Sequence, residues 1–564
     1  MSRSLRRVLT FAIGSLTVLA AGPALTSVQA ANQQKAFGDI NHVVVIYEEN
    51  HSFDNLYGGW EGVNGLANAG ADNTTQVGQH GAAYTCLFQK DVNLTSPPLP
   101  ADCTDTTTGL TFTSHFANQP FQIDSFIQST DTTCPQPGQE FAKSNGWVNG
   151  TGIPGGCTRD IVHKFYQEQY QINHGQQNRY VTGSDAAGLA MGTYDTTALP
   201  IYKFLHTDGA PHYAIADDFF QSAFGGSFLN HQWLIAAATP KWPGIPAGQH
   251  SIVDGNGFPN NSYPLYTPTV PVLDRAGAQA CGLSTTNTDV ACGDVAVNTI
   301  QPAFQPFRGS PQLPAQTGTT IGDELTAANV SWAWYSGGWS NAAGIAGGPG
   351  WTNTDPKNPG TCADLNSIPN PTYPFCPNKV FQYHHQPFNY FANYAPGMPG
   401  RTHLQDEQAF IDLANASGQD CKLNSVSFIK PIGLENEHPG YTSENRGSDH
   451  LVGLLQAING SACRKDTMVV VTYDEFGGQW DHVAPPGQRG TIGPHDEWGP
   501  GTRIPTLIIA PRLRGDFVVD HTQYDTTSIL ATIEKRWGMA AVGSRDAAVK
   551  DLSNVFNAKS PFDT

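Results

Sequence analysis

Two acidic couplets lie far apart in this sequence, each directly behind an apolar run. Glu48-Glu49-Asn50 follows His42-Val43-Val44-Val45-Ile46-Tyr47, and Asp474-Glu475 follows Thr467-Met468-Val469-Val470-Val471-Thr472-Tyr473. Glu49, Asn50, Asp474 and Glu475 offer oxygen donors, which suit a hard or borderline divalent cation. Either couplet alone reads more readily as the cap of a following helix. Two of them behind strands of one type favour a shared cation. Ser227 is the third candidate, since it follows Gly225-Gly226 and opens a helical stretch from Phe228 to Ala238. Backbone N–H groups and the helix dipole stabilise an anion at such a place, and a hydroxyl activated by a cation can attack phosphorus. Taken alone, Ser227 reads more simply as an N-cap. Several histidines stand in Gly/Pro-marked loops: His115, His384-His385, His438 and His482. Phosphoryl transfer needs donors to non-bridging oxygens and an acid for the leaving group, and imidazole does both.

The elements that must position these groups are strands. Long β-branched runs read as strands buried on both faces, the pattern of a parallel sheet, and functional groups gather beyond the carboxyl ends of such strands. Further strands are expected at His212–Ala216, Val330–Tyr335, Ser425–Ile429 and Ile504–Ala510, with helices at Leu404–Ala414, Ser448–Ile458 and Thr526–Trp537, the last with Asp525 as N-cap. This alternation predicts an α/β fold: a mainly parallel central sheet flanked by helices on both faces. Segments of about 236–320 and 337–380, rich in Pro, Gly, Asn and Thr, read as long loop insertions at the mouth of the site.

Composition narrows the classes. The 564 residues would suffice for several domains, and only 14% are charged against a typical ~25%, so ordered loops and turns are expected in quantity. A net charge of −18 disfavours nucleic acid and anionic membrane as partners. Arg3, Arg6 and Arg7 precede the apolar run Val8 to Ala21, and Val28-Gln29-Ala30 supplies small residues for cleavage. Residues 1–30 thus read as a signal peptide of a secreted or periplasmic protein, and no later segment spans a membrane. Ten cysteines without C-x-x-C agree with export. Five bridges between neighbours are expected: Cys86–Cys103, Cys134–Cys157, Cys281–Cys292, Cys362–Cys376 and Cys421–Cys463.

Glu49-Asn50-His51-Ser52-Phe53-Asp54, Gly225-Gly226-Ser227-Phe228-Leu229-Asn230, Asn436-Glu437-His438-Pro439 and Thr472-Tyr473-Asp474-Glu475 with Asp481-His482-Val483-Ala484-Pro485-Pro486 carry a resemblance. They resemble the bacterial phosphoesterase family, which joins non-haemolytic phospholipases C to secreted acid phosphatases on an alkaline-phosphatase-like fold. The resemblance spans about 40 to 538 and implies one catalytic domain over 36–564. It implies one divalent metal ion at Glu49, Asn50, Asp474 and Glu475, and Ser227 as nucleophile. It implies His115, His385 and His438 as groups that contact phosphate or transfer protons. Phospholipase members tend to have Gly-Pro-Thr-x-Pro-Asn where this chain has Gly225 to Asn230, a departure that favours the acid phosphatase branch. The expected partner is a small phosphate ester, or a phospholipid if the chain is a phospholipase C. A secreted protein that binds phosphate or metal without turnover is the reading from another class. Ser227 lacks the x-Pro-x-Arg sequel of a sulfatase, and no G-x-S-x-G elbow follows a strand.

Overall fold

The two apolar runs that precede the acidic couplets become neighbouring central strands. In this computed structural model the described residues are 33–89, 99–126, 158–246, 252–253, 263–268, 272–273, 294–298, 312–351 and 381–562. Eight strands build one sheet: β1 (His42–Glu48), β2 (Tyr213–Ala216), β3 (Trp332–Ser336), β4 (Leu404–Asp406), β5 (Val426–Lys430), β6 (Thr467–Tyr473), β7 (Thr506–Ile509) and β8 (Phe517–Asp520). Their order is β4-β3-β5-β1-β6-β7-β2-β8. Only β7 runs against the others. Val43 to Ile46 in β1 and Val470 and Val471 in β6 are fully buried, as parallel strands covered on both faces require.

Four helices matter for the site and for the cover of the sheet: α1 (Ser227–Ala236), α2 (Glu407–Asn415), α3 (Glu444–Asn459) and α4 (Thr527–Trp537). They pack in two groups, α1 on α4 and α2 on α3. The architecture is the expected mainly parallel sheet with helices. Among the described residues no helix is long and apolar enough to cross a membrane.

Local differences from expectation have local causes. The helix expected from Leu404 begins at Glu407, because Leu404 to Asp406 pair with Trp334 to Ser336 as an edge strand. Asp406 then caps α2 by accepting from Gln408 N. Asp525 accepts from Thr527 N at 2.7 Å, as a cap does, although Thr526 bounds α4. Strand β8 has no counterpart among the expected elements.

Two of the five expected disulfides fall on described residues, and both form: Cys86–Cys103 and Cys421–Cys463. The other three couples, the segment 1–30 and most of both insertions lie outside the described residues.

Arg503 ties two motif stretches together. Fully buried, it donates from Nη2 to Asp54 Oδ1 at 3.0 Å and Asp481 Oδ2 at 3.1 Å, and from Nη1 to the carbonyls of Asn64 and Asp217. His482 Nδ1 stands 2.5 Å from Asp54 Oδ2. This part of the motif is therefore a brace under the site. Arg503→Met leaves two buried carboxylates without their cation and should cost about 3–5 kcal/mol in denaturant unfolding. Cys421→Ala/Cys463→Ala opens a 42-residue separation, and the loop-entropy relation gives an expected loss of about 3–4 kcal/mol. An unchanged midpoint in either unfolding curve would contradict the corresponding analysis.

Candidate active site

The register of the central strands creates the site. Glu48 pairs with Tyr473, and Ile46 with Ile429. Strands β5, β1 and β6 therefore end together, and Lys430, Glu49 and Asp474 emerge side by side. Asn50 turns the chain at a φ of 64°, a left-handed conformation that asparagine tolerates better than most residues. Gly477, at a φ of 63°, lies so close that a Cβ there would stand 2.1 Å from the Asn50 carbonyl oxygen. Only glycine fits.

Asp474 and Glu475 each use one oxygen on backbone amides and leave the other bare. Asp474 Oδ1 accepts from Asn50 N at 3.2 Å and Glu475 N at 2.9 Å, and Glu475 Oε2 accepts from Gly477 N at 2.7 Å. Asp474 Oδ2 and Glu475 Oε1 have no hydrogen-bond partner, although both residues are fully buried. Burial pushes both carboxyls well above the usual range, helped by the charge of Glu49 beside Asp474 and of Asp474 beside Glu475. Glu49 behaves oppositely. Burial works to raise it, but the hydrogen bond from the facing His385 and the charge of Lys430 prevail and hold it well below the usual range.

Bare buried carboxylate oxygens are costly unless a cation answers them. Lys430 Nζ, 2.6 Å from Glu49 Oε1, answers one charge. Two imidazoles join the shell. His385 Nε2 is 2.8 Å from Glu49 Oε1, and His231 stands 4.0 Å from Glu49 and 3.7 Å from Asp474. Burial pulls His231 well below the ordinary imidazole range and His385 down to about 4, which favours the neutral, ligating form. His231 Nδ1 donates to the Ser227 carbonyl at 2.7 Å, while its Nε2 has no partner. Glu49, His231 and His385 offer one ligand atom each within 4.8 Å of one another. The donor set fits a divalent cation, with nitrogen ligands added to the expected oxygens.

Ser227 does not cap its helix. Gly226 occupies the cap, and the Ser227 hydroxyl donates to Glu49 Oε2 at 3.0 Å, with Asn50 Oδ1 at 3.5 Å. The loop before it is held by Asn230, whose Oδ1 accepts from Ala223 N and whose Nδ2 donates to the carbonyls of Ala223 and Gly225. Gly225 has a φ of 87°, and a Cβ there would meet Phe165 N at 2.4 Å.

In front of Ser227 lies a cavity of about 400 Å³ lined by His163, Lys164, His384, His385, His438 and Tyr441, among others. His438 Nε2 and His163 Nε2 face the Asn50 side-chain nitrogen at 3.0 and 3.4 Å. Their Nδ1 atoms donate to the carbonyls of Pro439 and Ile161, both at 2.6 Å. A carbonyl can only accept, so the Nε2 atoms carry lone pairs toward the cavity side. Asp160 lies within 4.8 Å of this pair, and the Asn50 amide stands between the rings as donor to both Nε2 atoms.

The structure thus gathers Glu49, Asn50, Asp474, Glu475, Ser227, His385 and His438. It does not bring His115 to them. That residue follows a short hairpin (Cys103–Asp105 with Phe112–Ser114) outside the central sheet, with Nδ1 2.5 Å from Asp102 and its ring against Phe116 and Phe126. His163 stands in the cavity instead. His231 was findable, since Ser227 and His231 share one helical face at a spacing of four. His163 and Lys430 carried no comparable signal.

The Phosphoesterase family's sequence model matches residues 40–540. Phospholipase C A of Mycobacterium tuberculosis is 24% identical over 557 residues, covering 93% of this chain and 78% of that protein. Phospholipase C B of the same organism is 33% identical over 175 residues, 27% of this chain and 32% of its own. Non-hemolytic phospholipase C of Burkholderia pseudomallei is 28% identical over 207 residues, 31% and 29% of the two chains. The match of the family over most of the chain means that this chain belongs to the Phosphoesterase family.

Proposed function

We propose that this chain hydrolyses phosphate esters, monoesters foremost, with Ser227 as nucleophile. The observation that carries the reading is the Ser227 hydroxyl, 3.0 Å from Glu49 Oε2 at a helix start facing a histidine-lined cavity. Glu49 Oε2 takes the hydroxyl hydrogen bond, orients Oγ and is the nearest base for its proton. Attack of Oγ on phosphorus forms a phosphoserine and breaks the bond to the leaving oxygen. Backbone N–H groups opening α1 stabilise the phosphoryl oxygens. His163 or His438 protonates the departing alkoxide from Nε2 once that nitrogen has taken up a proton in place of its hydrogen bond from Asn50. Water then cleaves the phosphoserine, and inorganic phosphate leaves. A divalent cation held by Glu49, Asn50, Asp474 and Glu475, with His231 and His385 beside them, would supply Lewis-acid stabilisation of phosphoryl oxygens and ease loss of the serine proton.

The monoester preference rests on Gly225-Gly226-Ser227 and on the cavity wall, where Ile161 and Val162 are the aliphatic lining residues among the described residues. Such a wall suits a small polar ester better than a diacyl lipid. The names of the relatives favour the second reading, a phospholipase C acting on phosphodiesters. Export is part of the proposal, supported by the basic-then-apolar segment within residues 1–30 and by the two disulfides.

Release of inorganic phosphate from p-nitrophenyl phosphate, set against phosphocholine release from phosphatidylcholine, separates the two readings, and neither release identifies a binding protein. Ser227→Ala should lower kcat at least ~10³-fold while calorimetry still detects phosphate binding, and Ser227→Thr should keep partial activity. Near-normal turnover by Ser227→Ala would make water the direct nucleophile. Asp474→Asn should lose the bound cation in elemental analysis together with activity, at an unchanged circular dichroism spectrum. Retention of a full equivalent of metal would remove Asp474 from the ligand set.

A further inference from the structure

Lys430 has no role in the reaction as drawn, yet among the described residues it is the fully buried ammonium at the site. It ends β5, is 0% exposed, and donates to the Tyr47 carbonyl at 2.8 Å and the Glu48 carbonyl at 3.3 Å. Its Nζ also stands 2.6 Å from Glu49 Oε1 and 5.6 Å from the centre of the Tyr47 ring. These contacts anchor it behind Glu49, and it is not among the residues that line the cavity. It therefore acts on a substrate only through its charge and through Glu49.

We infer that Lys430 is a specificity-determining residue: its fixed charge behind Glu49 tunes the site to dianionic phosphate monoesters over monoanionic diesters. The inference rests on the phosphoester-hydrolase reading above. Glu49, Asp474 and Glu475 bring three carboxylates into one buried place. With a divalent cation bound all three would be ionised, and the cation and Lys430 would together balance them, while His231 and His385 as nitrogen ligands would add no charge. Without Lys430 the same set carries one net negative charge. A low-dielectric site transmits that charge strongly, and a dianion feels it twice as much as a monoanion. A purely structural lysine would affect both substrates alike.

The test compares wild type, K430Q and K430R with p-nitrophenyl phosphate and bis(p-nitrophenyl) phosphate, at a pH where the monoester is a dianion. K430Q keeps a hydrogen-bonding side chain and loses the charge; K430R keeps the charge. The ratio of kcat/KM for monoester over diester should fall about tenfold in K430Q, equivalent to ~1.4 kcal/mol, and return toward wild type in K430R. Metal content by elemental analysis should stay the same in all three. An unchanged ratio in K430Q, or a ratio in K430R as low as in K430Q, overturns the inference. So does loss of the metal in K430Q, because cation retention would then explain the lysine. If K430Q does not fold, competition by inorganic phosphate and dimethyl phosphate against wild type and K430R decides. Stronger inhibition by the phosphate dianion in both supports the inference, and equal inhibition overturns it. A wild type that turns over neither ester and releases no phosphocholine from phosphatidylcholine sinks the hydrolase reading, and the same two inhibitors, measured by calorimetry, still test Lys430.

Discussion

Everything at the site depends on the in-register parallel pairing of β5, β1 and β6. Parallel strands point their carboxyl ends the same way, so residues just beyond a common register line meet without any loop having to carry them. Lys430, Glu49 and Asp474 are such residues, and their mutual distances follow from strand spacing. A slip of one residue would send alternate side chains to the opposite face. Buried on both faces, these strands resist that slip.

That geometry concentrates charge where water is excluded. Three carboxylates at 0% exposure would oppose folding if left alone, and the surrounding structure answers them by several means. Backbone amides take one oxygen each of Asp474 and Glu475, and Lys430 takes one of Glu49. The remaining bare oxygens define a demand for a cation. Below the site, Arg503 does the equivalent work for Asp54 and Asp481. Glu48, directed away from Glu49, has neither oxygen partnered, and burial with Glu437 nearby pushes it well above the carboxylate range, toward the neutral acid. Adjacent residues of one strand end thus hold opposite protonation tendencies because they face different neighbours.

Small residues set the distances that the charges exploit. Gly477 lets the second couplet approach the Asn50 carbonyl, and Gly225 lets the loop before Ser227 close on Phe165. Asn230, three residues after the serine, pins that loop through four backbone contacts. The serine motif therefore carries its own scaffold, which is why Ser227 leaves the cap to Gly226 and turns its hydroxyl toward Glu49.

What the sequence determined by itself was whatever depends on local pattern. Uninterrupted β-branched runs announce buried parallel strands, so six of the eight strands and the places of Glu49, Asn50, Asp474 and Glu475 were legible, as were Ser227 behind its glycines and the pairs Cys86–Cys103 and Cys421–Cys463. Even there, the strand Leu404–Asp406 was hidden, since its pairing partner lies elsewhere in the chain and no periodicity marks so short an edge. Tertiary structure alone decided which histidines stand beside the acidic couplets. His115 and His163 occupy similar polar loops in sequence, and only the chain's path puts one against Asp102 and the other beside Asn50. It alone also placed Lys430, because a lysine ending an apolar run reads as a solvated strand end until a carboxylate from another strand is found within 2.6 Å of it. Contacts between distant segments depend on register and crossing geometry, which no short window of residues contains.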